Sequence, residues 1–272
     1  EIRNHIKVLK SQGKTISFVP TMGALHEGHL SLVRQAAENS DIVITSIFVN
    51  PAQFAPNEDF TSYPRDLQAD LAALEEEGCD IAFTPDKNEI YSDNFSVEIK
   101  ITDKHDILCG KSRPQFFHGI ALIVTKLFNI IQPDVAVFGK KDFQQLYIIK
   151  KLCKDLNFDI EILGGEVIRE QDGLAMSSRN RYLNQEDRVI AGKLNVILSE
   201  LCDNLSGGKN ITETLKKGES KILDAGFDKV DYLEVRQSDN LELTQIIDDK
   251  SRIFAAVYIG KTRLIDNMKV VN

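Results

Sequence analysis

Two histidines three residues apart are the first feature of this chain that could do chemistry. His26 and His29 stand just before a helical pattern that runs from Leu30 to Glu38. The N–H groups in the first turn of a helix have no partner inside the helix, and with the helix dipole they favour an anion. Imidazoles at that place add donors to a phosphate, although the same pair would also serve as half of a zinc site.

A polar amide follows the next apolar run. The segment Ile42–Val49 is rich in β-branched residues and predicts a strand that is buried on both faces, and Asn50-Pro51 ends it. Gln53 comes directly after this strand and can both donate and accept hydrogen bonds. Its side chain suits either a small polar substrate or a solvent-facing loop.

A third group, Gly139, Lys140, Lys141 and Asp142, lies between a predicted strand at 135–138 and a helical pattern at 143–156. Glycine lets the backbone approach a ribose or a phosphate closely, and lysine supplies a point charge for phosphate. An aspartate at a helix start can cap the helix or hold a metal. The alternative is that Asp142 only caps the helix and that both lysines lie in water.

A polar loop late in the chain contains Met176, Ser177, Ser178 and Arg179. Consecutive hydroxyls beside a permanently charged guanidinium make a compact phosphate clamp when the loop folds over a site. By itself the segment is only a polar loop.

Alternating strand and helix patterns must position these groups. Further strand patterns lie at Ile16–Val19, Ile81–Thr84 and Ile160–Leu163, with a weaker one at Val97–Ile101, and helical patterns lie at Asp66–Glu77 and Ile120–Ile131. This alternation predicts an α/β fold with a Rossmann-like, doubly wound parallel sheet. Such sheets bind ligands at the carboxyl ends of their strands, where the polar groups stand.

The pattern changes near residue 168. Helical patterns at Gln185–Leu205 and Ile211–Ala225 precede strand patterns at Val230–Val235 and Arg252–Ile259. Helices followed by strands without strict alternation predict a smaller α+β domain. We therefore expect a Rossmann-like nucleotide- and substrate-binding domain over residues 1–167 and a smaller C-terminal lid domain over residues 168–272.

Composition limits the classes of partner. The 272 residues are 42% hydrophobic and 27% charged, as in a soluble globular enzyme, and no apolar stretch reaches the roughly 20 residues of a membrane span. The net charge of −8 argues against bulk affinity for nucleic acid or an anionic membrane. Four cysteines without C-x-x-C spacing fit neither a zinc ribbon nor a disulfide framework, so we expect a cytoplasmic protein with small-molecule substrates.

The order of these groups resembles a known family. An early H-x-G-H and a late Met-Ser-Ser-Arg loop are similar to the HIGH and KMSKS signatures of adenylate-forming nucleotidyltransferases. The segments 19–29, 48–54, 63–66, 139–146 and 172–181 together resemble the pantothenate synthetases, and the likeness spans nearly the whole chain. The chain departs from the family pattern at Lys140, where Glu is usual, and at Phe116, where His is usual.

The resemblance implies an ATP-dependent ligation of pantoate to β-alanine in a homodimer. The pantoate carboxylate would attack the α-phosphorus of ATP, brought with Mg²⁺, to give pantoyl adenylate and pyrophosphate. The amine of β-alanine would then attack the acyl carbon and release pantothenate and AMP. Two alternatives stay open: another small-molecule nucleotidyltransferase of the H-x-G-H superfamily, and a nucleotide-sensing protein without turnover.

The resemblance also implies a role for each site residue. His26, His29, Lys141 and Arg179 would be catalytic, with His29 as a proton donor or phosphate-binding acid. The ATP-binding residues would be Met22, Gly23, Ala24, Leu25, His26, Glu27, Gly28, His29, Gly139, Lys140, Lys141, Asp142, Ile168, Met176, Ser177, Ser178 and Arg179.

Substrate binding would involve fewer residues. Gln53 and Gln145 would hold pantoate, and Gln53 would also reach β-alanine. Asp142 would lie near the ribose or Mg²⁺, and Ile168 would contact adenine through its main chain. Arg113 would shape the entrance for pantoate or β-alanine.

Overall fold

The computed structural model describes residues 1–56 and 58–271. Asn57 and Asn272 belong to the predicted domain ranges and lie outside the described residues. The chain forms two compact units, the first made of Glu1–Lys140 and Ile148–Glu166 and the second of Lys141–Tyr147 and Val167–Asn272. The short segment Lys141–Tyr147 therefore groups with the second unit, although it precedes the boundary expected at residue 167.

Helices and strands alternate through the first unit. Its strands are β1 Ile16–Thr21, β2 Ile42–Ile47, β3 Ile81–Phe83, β4 Val135–Gly139 and β5 Glu161–Gly165. Its helices are α1 Ile2–Ser11, α2 Glu27–Ala37, α3 Leu67–Glu76, α4 Lys87–Ile90, α5 Cys109–Ser112 and α6 Phe116–Ile131. The helix α7 Phe143–Asp155 starts in the short segment of the second unit and continues in the first.

The five strands described in this unit form one parallel sheet in the order β3-β2-β1-β4-β5. Thr21 at the end of β1 lies opposite Ile47 at the end of β2. Because all the strands run in one direction, the loops that follow β1, β2 and β4 leave the same edge of the sheet. The predicted Rossmann-like sheet is confirmed.

Both faces of the sheet are covered. On one face Phe18 of β1 makes an edge-to-face contact with Phe128 of α6, with ring centroids 6.4 Å apart. On the other face Val19 belongs to a buried cluster with Val33 of α2 and Leu74 of α3. Burial on both faces explains why the strands are continuous apolar runs rather than alternating patterns.

The weak strand predicted at Val97–Ile101 is wrong. Val97 is 58% exposed, and the N–H of Ile101 donates to Nδ1 of His118 rather than to another strand. A short β-branched pattern forms a strand only where a sheet edge accepts it, and residues 95–102 form an irregular segment instead.

The second unit combines two helices with an antiparallel sheet. The helices are α8 Gln185–Ser206 and α9 Ile211–Asp224, and the strands are β6 Lys229–Gln237, β7 Ser251–Ile259 and β8 Thr262–Lys269. The strands pair in the order β6-β7-β8, and Leu194, Leu198 and Ile253 lie in the shared core. The predicted α+β unit is confirmed, with β8 as an additional strand. None of the helices described in either unit is long and apolar enough to cross a membrane.

Candidate functional site

A tight turn connects β1 to α2. Its residues Gly23 and Ala24 have φ values of +77° and +50°, in the left-handed region that favours glycine. The hydroxyl of Thr21 donates to the carbonyl of Ser46 at 2.7 Å and accepts the N–H of Gly23 at 3.2 Å. The turn is therefore tied to the end of the neighbouring strand β2.

The buried carboxylate of Asp70 in α3 fixes the same turn. Its Oδ2 accepts the N–H of Ala24 at 2.9 Å, and its Oδ1 accepts the N–H of Leu25 at 2.7 Å. A Cβ at Gly23 would lie 2.7 Å from Oδ2, so the close approach of Asp70 requires glycine there. Sequence reasoning missed Asp70. Its signal was an acidic residue four positions before Leu74, on the buried side of a helix.

The two histidines lie at the start of α2, which begins at Glu27 rather than at Leu30. His26 is the N-cap, and its Nδ1 accepts the N–H of Gly28 at 3.1 Å. Since Nδ1 accepts this bond, a neutral His26 carries its proton on Nε2 and donates from that atom. The His29 ring lies 4.1 Å from the His26 ring, centroid to centroid. The expected pair of imidazoles at a helix N-terminus is present.

Glu27 belongs to an exposed ion-pair network. Its carboxylate pairs with Arg34, which also donates to Glu77 at 2.5 Å. The hydrogen bond from Arg34 to Glu77, with a smaller contribution from Glu27, raises the pKa of the Arg34 guanidinium. The Glu27 carboxylate is thus paired with the Arg34 guanidinium at the surface of α2.

Gln53 lies in a 3-10 turn, Pro51–Gln53, directly after β2. Its Nε2 donates to Sδ of Met22 at 3.0 Å, and its Oε1 accepts from Nδ2 of Asn50 at 3.1 Å. The structure therefore brings together Met22 and Gln53, which the resemblance assigns to ATP and to pantoate.

Arg113 supports the main chain of this turn. Its Nη2 donates to the carbonyl of Gln53 at 3.2 Å and to Oε2 of Glu58 at 2.7 Å, and its Nε donates to Oε1 of Glu58 at 2.5 Å. The guanidinium lies 3.6 Å from the ring centroid of Phe116. Phe116 therefore stacks on Arg113.

The glycine and two lysines after β4 divide between the units. Gly139 and Lys140 belong to the first unit, where Lys140 pairs with Glu166. In the second unit the Lys141 ammonium lies 3.5 Å from Oδ2 of Asp142, and the Lys141 carbonyl accepts from Nδ2 of Asn267 in β8. Each lysine therefore has an acidic partner within its own unit, Glu166 for Lys140 and Asp142 for Lys141.

The later polar loop begins as a hairpin. The N–H of Met176 donates to the carbonyl of Ile168 at 3.0 Å, and Arg169 pairs with Ala175 as an antiparallel bridge. A 3-10 turn, Ser178–Tyr182, follows, and Oγ of Ser177 caps it by accepting the N–H of Arg179 at 3.3 Å. Ile168 and the Met-Ser-Ser-Arg segment are therefore adjacent.

The ion pairs outside the predicted set that hold this hairpin include two between segments distant in the chain. Arg169 donates to both oxygens of the buried Asp266, at 2.6 and 2.9 Å. Asp172 pairs with Arg188 of α8. Burial raises the pKa of the Asp172 carboxyl, but the hydrogen bonds from Arg188 and from the Leu174 N–H, together with the charge of Arg188, outweigh it and lower the pKa overall. Neither pair could be read from sequence, because the partners are distant in the chain.

The predicted site residues thus fall into two sets, each within one unit. The first set is Met22, Gly23, Ala24, Leu25, His26, Glu27, Gly28, His29, Gln53, Gly139 and Lys140, and the second is Lys141, Asp142, Gln145, Ile168, Met176, Ser177, Ser178 and Arg179. The first set offers imidazole and amide donors, which suit a carboxylate or a phosphate. The second offers an ammonium group, a guanidinium group and hydroxyls, which suit a polyphosphate.

Comparisons with known proteins assign this chain to one family. The model of the family described as pantoate-beta-alanine ligase matches residues 1–269. The pantothenate synthetase of Carboxydothermus hydrogenoformans is 51% identical over 268 residues, which cover 98% of this chain and 95% of the relative. That of Caldicellulosiruptor saccharolyticus is 49% identical over 271 residues, covering 99% of this chain and 96% of the relative.

Solved structures agree with this result. The pantothenate synthetase of Thermus thermophilus superposes with a TM-score of 0.93 at 37% identity, covering 98% of each chain. The pantoate-beta-alanine ligase of Francisella tularensis, complexed with beta-gamma ATP and β-alanine, gives a TM-score of 0.84 at 37% identity. That match covers 100% of this chain and 97% of the other.

Proposed function

Since the chain belongs to the pantoate-beta-alanine ligase family, we propose that it joins pantoate to β-alanine with ATP through a pantoyl adenylate. AMP and pyrophosphate are the other products. The observation that carries the proposal is the histidine pair in the first turn of α2, at the edge of the sheet where β1 ends. The ATP and β-alanine in the complex of the Francisella tularensis relative support the same substrates here.

The first step needs charge stabilisation and no protein nucleophile. An oxygen of the pantoate carboxylate forms a bond to the α-phosphorus, the bond to the bridging oxygen breaks, and pyrophosphate leaves with the electron pair. Negative charge develops on the phosphoryl oxygens during this displacement. Donors that are already oriented stabilise that charge without reorganisation, which is the strongest contribution that a site of this kind makes.

In the first unit, the donors come from the turn and the start of α2. His29 serves as the proton donor or phosphate-binding acid, and His26, with its proton on Nε2, donates to a neighbouring phosphate oxygen. The segment from Met22 to His29 wraps the triphosphate. Gln53 binds pantoate and reaches β-alanine, and Gly139 with Lys140 contacts the nucleotide.

In the second unit, the charged residues serve the nucleotide. Lys141 and Arg179 neutralise phosphate charge, and Ser177, Ser178 and Met176 bind beside them. Ile168 contacts adenine through its main chain, and Gln145 binds pantoate. The division into a nucleotide- and pantoate-binding domain over residues 1–167 and a smaller domain over residues 168–272 is part of the proposal.

Mg²⁺ enters the proposal as part of the Mg·ATP substrate. Asp142 offers a carboxylate that is 42% exposed, and carboxylate oxygens are the protein ligands that Mg²⁺ prefers. The described residues contain no cluster of three His, Cys, Asp or Glu side chains for a metal, so the substrate phosphates would supply most of the ligands.

The second step uses the activated acyl group. The β-alanine amine attacks the acyl carbon, the bond to the AMP oxygen breaks, and AMP leaves as pantothenate forms. We place this chemistry in a cytoplasmic homodimer. The homodimer rests on the resemblance, and the cytoplasm rests also on the four cysteines, none of which forms a disulfide.

Product analysis tests the proposal. Purified protein is mixed with ATP, Mg²⁺, pantoate and β-alanine, and pyrophosphate, AMP and pantothenate are followed together. Pyrophosphate is expected to require pantoate, and multiple turnovers of AMP are expected to require β-alanine. A nucleotidyltransferase that leaves the nucleotide on its product would release pyrophosphate without AMP, and a nucleotide sensor would release neither.

A further inference from the structure

The side-chain amide of Asn50 is oriented by two backbone groups. Asn50 is 1% exposed, and its Oδ1 lies 3.3 Å from the N–H of Ala52, which can only donate. Its Nδ2 lies 3.1 Å from the carbonyl oxygen of Gly119, which can only accept. If the amide were rotated by half a turn, its NH2 group would face the N–H of Ala52 and its oxygen would face the carbonyl oxygen of Gly119. The backbone therefore decides which end of Asn50 carries the nitrogen.

Gly119 makes this arrangement sterically possible. A Cβ at this position of α6 would fall 2.1 Å from the carbonyl oxygen of Ala52. The absence of a side chain lets α6 approach the turn Pro51–Gln53 closely enough for its carbonyl to reach Asn50.

Tyr91 completes the contacts of Asn50. Its hydroxyl donates to Oδ1 of Asn50 at 2.8 Å. The Tyr91 ring lies 6.3 Å from the ring of Phe48 and 5.3 Å from that of Phe95, centroid to centroid, so packing fixes the hydroxyl. Burial raises the pKa of Tyr91, and the hydroxyl consequently keeps its proton at neutral pH and remains a donor.

The orientation of Asn50 determines that of Gln53. Nδ2 of Asn50 is a donor, so the atom of Gln53 that lies 3.1 Å from it must be the oxygen, Oε1. Nε2 of Gln53 then lies on the other side, 3.0 Å from Sδ of Met22. A thioether sulfur is a weak acceptor, and a negatively charged oxygen would replace it with a gain in free energy.

We propose that Tyr91 is a positioning residue that acts through Asn50 to hold Gln53 with its Nε2 donors toward an oxygen of pantoate. The relay runs from the Tyr91 hydroxyl to Asn50 and from Asn50 to Gln53. It presents a donor rather than an acceptor, so Gln53 binds a carboxylate or hydroxyl oxygen and not the ammonium group of β-alanine. This inference rests on the proposed function and deepens it.

Tyr91→Phe tests the relay, since it removes only the hydroxyl. Loss of one orienting hydrogen bond is expected to raise the KM for pantoate about three- to tenfold. The KM for ATP is expected to stay unchanged, and the Tm is expected to fall by no more than about 2–4 °C, because one hydrogen bond to the buried Asn50 is lost. Tyr258→Phe is the matched control, because it removes a hydroxyl from β7 of the second unit and leaves all these values as in the wild type. An unchanged KM for pantoate in Tyr91→Phe, or an equal rise in the KM for ATP, would overturn the proposal.

A double mutant distinguishes positioning from general support of the fold. If Tyr91 acts through Gln53, adding Tyr91→Phe to Gln53→Ala produces no further rise in the KM for pantoate. The same fold increase in both backgrounds would show that Tyr91 acts independently of Gln53 and would contradict the relay.

Gln53→Glu provides a test that does not depend on a change at the half-buried Tyr91. It replaces the Nε2 donors by a charged oxygen, and is expected to raise the KM for pantoate more than Gln53→Ala does. Tighter β-alanine binding in Gln53→Glu would instead show that Gln53 faces the ammonium group. If the proposed function is wrong, the wild type forms no pantothenate. If only the relay is wrong, the wild type forms pantothenate and Tyr91→Phe has the same KM for pantoate as the wild type.

Discussion

Oδ1 of Asp70 accepts the N–H of Leu25 at 2.7 Å, although the two residues are 45 positions apart in the chain. The second oxygen of the same carboxylate binds the N–H of Ala24. A buried side chain of α3 therefore fixes the turn that places His26 and His29 at the start of α2.

Asp70→Asn is expected to loosen this turn. The amide replaces one acceptor oxygen by a donor that opposes a backbone N–H, which costs about 1–3 kcal/mol of unfolding free energy. Because the turn carries the histidine pair, kcat/KM for ATP is expected to fall as well. Urea unfolding and steady-state kinetics measure the two effects.

Asp66→Asn is the control for this change. Asp66 caps the same helix by accepting the N–H of Ala69 at 3.1 Å, and asparagine caps helices equally well. Stability and kinetics are expected to match the wild type. An Asp70→Asn variant that is as stable and active as Asp66→Asn would show that Asp70 does not fix the turn.

His29→Ala is expected to lower kcat by about 10²–10³, the usual cost of losing one donor to a developing negative charge. The Tm is expected to stay near that of the wild type. His5→Ala, at an exposed position of α1, is the control and is expected to keep full activity. If His29→Ala melted earlier and retained turnover, the histidine would be structural.

The Asp172 carboxyl predicts a pH dependence of stability. Its pKa in the folded protein is lowered, since the hydrogen bonds from Arg188 and the Leu174 N–H, with the charge of Arg188, outweigh the opposite effect of burial. A lowered pKa contributes stability above the unfolded value of about 3.9, and this contribution is lost as the pH falls through the folded pKa. The effect is small because the Asp172 side chain is 41% exposed and solvent screens the pair.

Asp172→Asn provides the measurement. The variant is expected to be slightly less stable than the wild type at neutral pH, and the difference in unfolding free energy should shrink as the pH falls below about 4. A difference that is constant over this range would mean that the charge of Asp172 does not contribute.

Much of the fold could be predicted because local patterns and the tertiary structure agree. β-branched runs such as Ile42–Ile47 are buried on both faces of the sheet, and the polar residues after them lie in loops at one edge. The helix that follows the histidines was predicted as well, but it begins three residues earlier, because His26 supplies the cap through its own ring nitrogen.

The remaining features depend on contacts between distant segments. β8 contains Asp266 and Asn267, whose polarity obscured the strand pattern, yet both are buried, and Asp266 pairs with Arg169. The spacing of Asp70 and Leu74 indicates a buried acid in α3, but its bonds to the turn appear only when α3 packs beside that turn. The orientation of Gln53 likewise depends on Tyr91 and Gly119, which no local motif connects to it.

The transfer of a pantoate oxygen into AMP tests the central claim most directly. Pantoate whose carboxylate is labelled with a heavy oxygen isotope is incubated with the protein, Mg·ATP and β-alanine, and the products are analysed by mass spectrometry. Attack of the carboxylate on the α-phosphorus predicts one labelled oxygen in the phosphate of AMP for each pantothenate formed. Label in inorganic phosphate, with ADP as the nucleotide product, would show attack on the γ-phosphorus and contradict the adenylate mechanism.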